Sequence, residues 1–198
     1  MENKKQHIFV FTGASGVGKS ACMKYLSENY NIDCIELSAR PFLQNNGESY
    51  DVQMTDKIQN NIQFNNTVTL LETIIKNERE EFKKSICFSR SSLDIIAYAK
   101  SLNKGLDCIE QQINFVKRNK NEFIYLYIPI EFSMKDTNDI KRGTNEEVRN
   151  LTDKYIQKYI EELNIPIITI HGDMSNRKSI LDNVMKKYNI PKFKNCGV

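Results

Sequence analysis

His7-Ile8-Phe9-Val10-Phe11-Thr12-Gly13-Ala14-Ser15-Gly16-Val17-Gly18-Lys19-Ser20 decides the fold. Its first six residues are aromatic, β-branched and nearly all apolar, the composition of a strand buried on both faces. Gly13–Ser20 matches GxxxxGK[ST], and Lys19–Asn29 reads as a helix with Ala21, Tyr25 and Leu26 on its inner side. Strand, glycine-rich turn and helix in that order make a phosphate-binding loop. Glycines let the backbone curl until several N–H groups face one phosphate, and the helix start adds partial positive charge. The loop residues Gly13, Ala14, Ser15, Gly16, Val17, Gly18, Lys19, Ser20 and Ala21 are therefore expected to hold ATP or GTP. Lys19 reaches the β- and γ-phosphates, and the Ser20 hydroxyl ligates Mg²⁺.

Outward from the loop, short apolar strands alternate with helical stretches. Strands are expected at 34–37, 85–89, 123–128 and 165–170. Helices are expected at about 54–84 with a possible break at Asn65-Asn66, at 93–102 and 106–120 around Gly105, and at 146–163 and 175–188. Residues 41–51 read as a loop, and 133–145, polar and short of apolar anchors, as a mobile lid. This alternation predicts an α/β fold with a mostly parallel sheet. It also predicts one domain over 1–190, with the lid at about 133–149 and a loose tail at 191–198.

Composition narrows the function. The 198 residues carry a net charge of +3 with 27% charged residues, so there is no polybasic arm and no acidic tail. No stretch approaches the roughly 20 apolar residues of a membrane span. Met1–Gln6 is not followed by a signal core. Five cysteines, at 22, 34, 87, 108 and 196, form an odd set without a CxxC pair. Reduced thiols in a cytoplasm are expected. A GTPase needs a base-reading NKxD segment after a late strand, where this chain has Pro129-Ile130-Glu131-Phe132. A motor ATPase needs a strand ending in a carboxylate, where this chain has Phe88-Ser89-Arg90.

Phe88-Ser89-Arg90-Ser91-Ser92-Leu93-Asp94-Ile95-Ile96-Ala97-Tyr98 resembles the DRSxLDxLAY segment of small P-loop kinases. These are the nicotinamide-riboside-kinase-like AAA-type ATPases and the bacteriophage deoxynucleotide kinases. Ile140–Arg149 is similar to their lid, and Gly172–Arg177 to their late loop near the adenine, which places Arg177 beside the cofactor. The resemblance spans residues 7 to 187. It implies a P-loop NTPase, kinase-like three-layer sandwich with a five-stranded mostly parallel sheet and a small lid. It also implies transfer of the ATP γ-phosphoryl group to a nucleotide or nucleoside. Family members carry an acid before the arginine of DRS; here Ser89 stands in its place.

Each residue has a structural competitor. Arg90 leaves a buried strand at the sheet's carboxyl edge, where it grips an acceptor phosphate or forms an ion pair. Asp94 closes an S-x-x-D capping box at Ser91 or takes a catalytic role. Tyr98, one turn on, stacks on an acceptor base or fills the core. Arg40 in Ser38-Ala39-Arg40-Pro41 and Glu36 before it serve the acceptor, Glu36 also as a base, or pair on the surface. Arg142 in the lid is favoured to neutralise transferring charge, and Arg149 reads as helix surface. The alternatives carried forward are a nicotinamide riboside kinase, a degenerate nucleotide-binding regulator and a kinase of modified DNA. The weak net charge with no basic stripe disfavours the last.

Lys19→Ala is expected to abolish ADP release while leaving the circular dichroism spectrum and melting temperature near the parent's, because the lysine serves the phosphate site and not the core. Turnover at the parent rate refutes the phosphate-loop assignment.

Overall fold

The computed structural model describes residues 6–36, 62–78, 81, 83–103, 109–133 and 146–193. Five strands make one sheet: β1 Ile8–Thr12, β2 Ile32–Ile35, β3 Ser85–Phe88, β4 Phe123–Tyr127 and β5 Ile167–Thr169. Their order is β2-β3-β1-β4-β5, and every pairing is parallel. Between them run α1 Lys19–Asn29, α2 Ile62–Glu78, α3 Ser92–Leu102, α4 Ile109–Asn119, α5 Glu146–Glu162 and α6 Met174–Lys187. No helix among the described residues is long and apolar enough to cross a membrane.

β1 is central and fully buried, and its alternation builds two cores. Ile8 and Val10 join Phe88, Leu93, Ile96, Val116 and Ile156 on the face covered by α2, α3, α4 and α5. Phe9 and Phe11 join Leu26, Leu126, Leu181 and Met185 on the face covered by α1 and α6. Burying both faces is why the strand reads as an unbroken apolar run. The helices follow the same logic at period 3.6. In α5 the buried positions are Arg149, Thr152, Asp153, Ile156 and Tyr159.

Several expected boundaries move. The first helix turns Cys22, Met23 and Leu26 inward and leaves Ala21 exposed. Lys19 is itself buried in the loop and sets the helix phase, so the inner stripe runs through 19, 22, 23 and 26. β2 begins at Ile32, two residues before the expected start. α2 runs through Asn65-Asn66 without a break and stops at Glu78 rather than near Lys84. Docking of Glu72 and Ile75 into the interior outweighs the weak helix preference of two asparagines. The 41–51 loop, Gly105, Cys108, Cys196 and the stretch 134–145 lie outside the described residues.

The tail is held as far as Phe193. Pro191 accepts a hydrogen bond from Asn31 N–H, and Phe193 donates to Asn29. Lys192 pairs with Asp182, which also accepts from the hydroxyls of Tyr25 and Tyr30. The expected looseness therefore does not apply to 191–193.

α2 meets the start of α3 through a buried carboxyl. Glu72, 2% exposed, accepts from the backbone N–H of Ser92 at 3.1 Å and also bonds the Ser92 hydroxyl. Burial pushes its pKa up to about 8, against the lowering effect of the two Ser92 bonds. A raised pKa means the folded protein holds a proton that the unfolded chain releases above about 4.5. The stabilisation is complete below that value and lost as pH rises through about 8. The melting temperature of the parent is therefore expected to fall between about pH 6 and pH 9 more than that of Glu72→Gln, which has no carboxyl to titrate. Equal slopes in differential scanning fluorimetry refute a raised Glu72 pKa.

Candidate active site

The phosphate loop lies at the carboxyl ends of β1 and β4, where open parallel sheets place their ligands. Gly13 has φ +150°, and a Cβ there would lie 2.5 Å from the Ile128 carbonyl oxygen. Gly18, at φ +100°, has the Arg177 guanidinium 2.8 Å from where its Cβ would be. Gly13 requires glycine on two counts, conformation and space, and Gly18 on conformation. Lys19 is buried and its ammonium curls back onto the carbonyls of Gly13 and Ala14.

Asp94 ties this loop to the exit of β3. One carboxylate oxygen accepts from the Gly13 N–H at 2.9 Å and the Thr12 hydroxyl at 3.2 Å. The other accepts from the Ser91 N–H at 2.9 Å and the Ser91 hydroxyl at 3.2 Å. The capping box of the sequence is present and extends to the loop. Asp94 is fully buried with both oxygens engaged, so its geometry is that of a positioning residue rather than the catalytic group also expected of it.

Two arginines brace the loop from outside. Arg149 is 2% exposed; its Nε donates to the Ser15 carbonyl at 2.9 Å, one terminal nitrogen donates to Phe132, and the other meets Glu146 at 3.4 Å. The expectation of a helix-surface arginine is corrected: position 149 opens the buried stripe of α5. Burial pulls its pKa below the ordinary value, against the opposing effect of Glu146. Arg177, also buried, donates to the carbonyls of Val17 and Gly172 and pairs with Glu131 at 2.7 Å. Its guanidinium also sits 5.6 Å over the exposed Phe132 ring. Arg177, expected beside the cofactor, stands behind the phosphate loop with these donors directed to protein.

At the carboxyl ends of β2 and β3, Glu36 is exposed past the end of β2 and accepts from the Ser20 hydroxyl at 3.3 Å. Ser89 is buried, and its N–H donates to Ile35 at the end of β2. Arg90 lies half-buried with its guanidinium 5.7 Å over the Tyr98 ring. Tyr98 is 4% exposed within the core, so its ring supports Arg90 instead of offering a face to an acceptor base. Arg40 and Arg142 lie outside the described residues, and Ala21 is exposed on the helix behind Ser20.

Sequence reasoning passed over Asp153. It lies one turn after Arg149, is buried, and accepts from the Tyr127 hydroxyl at 3.0 Å and the Gln157 amide at 2.8 Å. Burial raises its pKa, while Arg149 and Lys19 pull it back. An Arg-x-x-x-Asp pair on one helix face was the available signal.

The site's oxygens suit a hard cation. The Ser20 hydroxyl and the Glu36 carboxylate are magnesium-type donors. Among the described residues no cluster of three His, Cys, Asp or Glu could hold a metal.

A protein-family model described as an AAA domain matches residues 8–177. No curated protein sequence matches significantly. Among solved structures, deoxyadenosine kinase from M. mycoides is similar with TM-score 0.62 and 14% identity, over 91% of this chain and 99% of that one. The NadR protein in complex with NR is similar with TM-score 0.66 and 15% identity, over 97% of this chain and 54% of that one. Thymidylate kinase from Candida albicans is similar with TM-score 0.59 and 8% identity, over 96% and 99%. Identities this low establish the shared fold, which is that of the P-loop kinases. With a match spanning β1 to Arg177, the chain belongs to the AAA domain family.

Proposed function

We propose that the protein is an ATP·Mg²⁺-dependent phosphotransferase acting on a nucleotide or nucleoside. One observation carries this reading: the Ser20 hydroxyl of an intact phosphate loop lies beside Glu36 at the end of β2, the strand that neighbours β3 and its exit at Arg90. The solved relatives include kinases of deoxyadenosine and thymidylate, which supports the same acceptor class.

In this mechanism the loop amides and Lys19 bind the β- and γ-phosphates. Lys19 exchanges its bonds to Gly13 and Ala14 for phosphate oxygens. Ser20 and Glu36 would hold Mg²⁺, which supplies charge neutralisation across the phosphates. Glu36 also takes the proton of the attacking acceptor oxygen, the work otherwise expected of an acid at position 89. Arg90 grips the acceptor, joined by Arg40. Arg142 and Arg149 converge on the charge of the transferring group, Arg149 by giving up Ser15. Single-domain organisation with a lid at 133–149 and a cytoplasmic setting belong to the same proposal. So does a small-molecule partner rather than a nucleic acid, with nicotinamide riboside as the alternative acceptor, since a NadR structure shares the fold.

Ser89 favours a second reading, a nucleotide-binding regulator that turns nothing over. ADP release measured against nucleosides, deoxynucleoside monophosphates and nicotinamide riboside separates the two. No ADP release with any acceptor of the panel, while ATP still binds, supports the regulator.

Arg90→Ala is expected to weaken acceptor binding about ten- to a hundredfold, the value of a charge-assisted hydrogen bond to phosphate, and to leave ATP binding nearly unchanged. Separate calorimetric titrations check this, and equal losses place Arg90 elsewhere. Arg149→Lys is expected to lower kcat by roughly a hundredfold or more, because an ammonium cannot reproduce the planar fork. A kcat within twofold of the parent leaves Arg149 a brace of the loop only.

A further inference from the structure

Glu72 is a buried carboxyl that the proposed chemistry does not use and that makes its hydrogen bonds on the Arg90 side of the site. It belongs to α2, yet both of its oxygens are spent on a single residue of α3: Oε1 on the Ser92 N–H, Oε2 on the Ser92 hydroxyl. Thr69, one turn earlier on α2, shares that hydroxyl at 3.0 Å. Ser92 is the first residue of α3 and follows Arg90 by two positions. A carboxyl here meets an otherwise unpaired helix N–H and the positive end of the helix dipole.

Asp94 grips the same first turn from the opposite side, through Ser91. The two carboxyls divide the work. Asp94 faces the phosphate loop, and its bonds to Gly13 and Thr12 do not pass through Glu72. Glu72, from α2, faces only that first turn of α3 in its hydrogen bonds among the described residues.

We propose that Glu72 is a positioning residue for the acceptor side. It anchors the turn Ser89–Ser92 to α2 and so fixes the Arg90 guanidinium over Tyr98, independently of the ATP side. This rests on the reading of Arg90 as an acceptor ligand. A carboxyl that served stability alone affects both substrates alike or neither.

The test compares the parent with Glu72→Ala, Glu72→Gln, Ser92→Ala and Arg90→Ala. Hydrogen exchange by NMR needs no substrate. Steady-state kinetics with ATP use the deoxynucleosides, their 5′-monophosphates and nicotinamide riboside as acceptors. Glu72→Ala is expected to speed exchange of the Ser92 amide about tenfold and leave Gly13–Ser20 unchanged. It should raise acceptor KM about tenfold with ATP KM unchanged. Glu72→Gln keeps a carbonyl acceptor for the Ser92 N–H and should stay within about threefold of the parent on both readouts. Should Glu72→Ala fail to fold, Ser92→Ala takes its place and should raise acceptor KM alone. Unchanged Ser92 exchange in Glu72→Ala overturns the proposal whatever the kinetics. An acceptor effect in Arg90→Ala but not in Glu72→Ala overturns it and leaves the function intact. No acceptor effect in either variant, or no turnover with any acceptor, overturns the acceptor site itself, and the positioning role with it.

Discussion

The Asp94 carboxylate holds the site together. Four hydrogen bonds converge on it, two from the end of β1 and two from the turn after β3. Strands β1 and β3 are neighbours in the sheet, so one buried side chain spans the gap between their carboxyl ends. A carboxylate this deep survives only because every bond it needs is supplied, two of them by backbone N–H groups. It therefore fixes the phosphate loop and the Arg90 turn in one frame.

Around this frame the charges are arranged by burial. Arg149 and Arg177 are both almost fully enclosed, and each spends guanidinium donors on loop carbonyls, Ser15 for one and Val17 for the other. Carbonyls pointing outward are the complement of amides pointing inward at the phosphate. Bracing them from behind keeps the amides convergent. Each arginine also has a carboxylate partner, Glu146 at 3.4 Å and Glu131 at 2.7 Å. A lone buried cation would not persist there. The Glu131 carboxylate also takes the Gly172 N–H, and with Arg177 draws its pKa below the ordinary range in spite of burial.

Ser89 makes the chemistry of this chain unusual within its resemblance. With no acid at that position, the carboxylates near the loop among the described residues include Asp94, with both oxygens engaged, Glu36, exposed against Ser20, and Asp153, buried against Tyr127. Glu36 is open to solvent, whereas Asp153 is enclosed. Asp153 is better placed to orient Arg149 one turn away.

The parallel sheet, the phosphate loop and the order of the elements were legible in the chain, because each is written locally. Continuous apolar runs mark strands buried twice, and glycine spacing marks a turn only glycine adopts. The capping box at Ser91 and Asp94 was legible for the same reason. Local pattern could not say that the same aspartate also reaches Gly13, 81 residues away in the chain. Arg149 read as surface because arginine is seldom buried, and only the docking of α5 against the loop brought Ser15 and Phe132 within its reach. Tyr98 turned inward because α3 is buried along almost its whole length, and Glu72 acquired its raised pKa from burial, against the lowering effect of a hydrogen-bond partner 20 residues on. Sequence alone determined which segments form strands, loop and helices, since those follow from short-range sterics and periodicity. Which charges are buried, and what they hold, was decided by tertiary packing, because desolvation and hydrogen-bond partners exist only once distant segments meet.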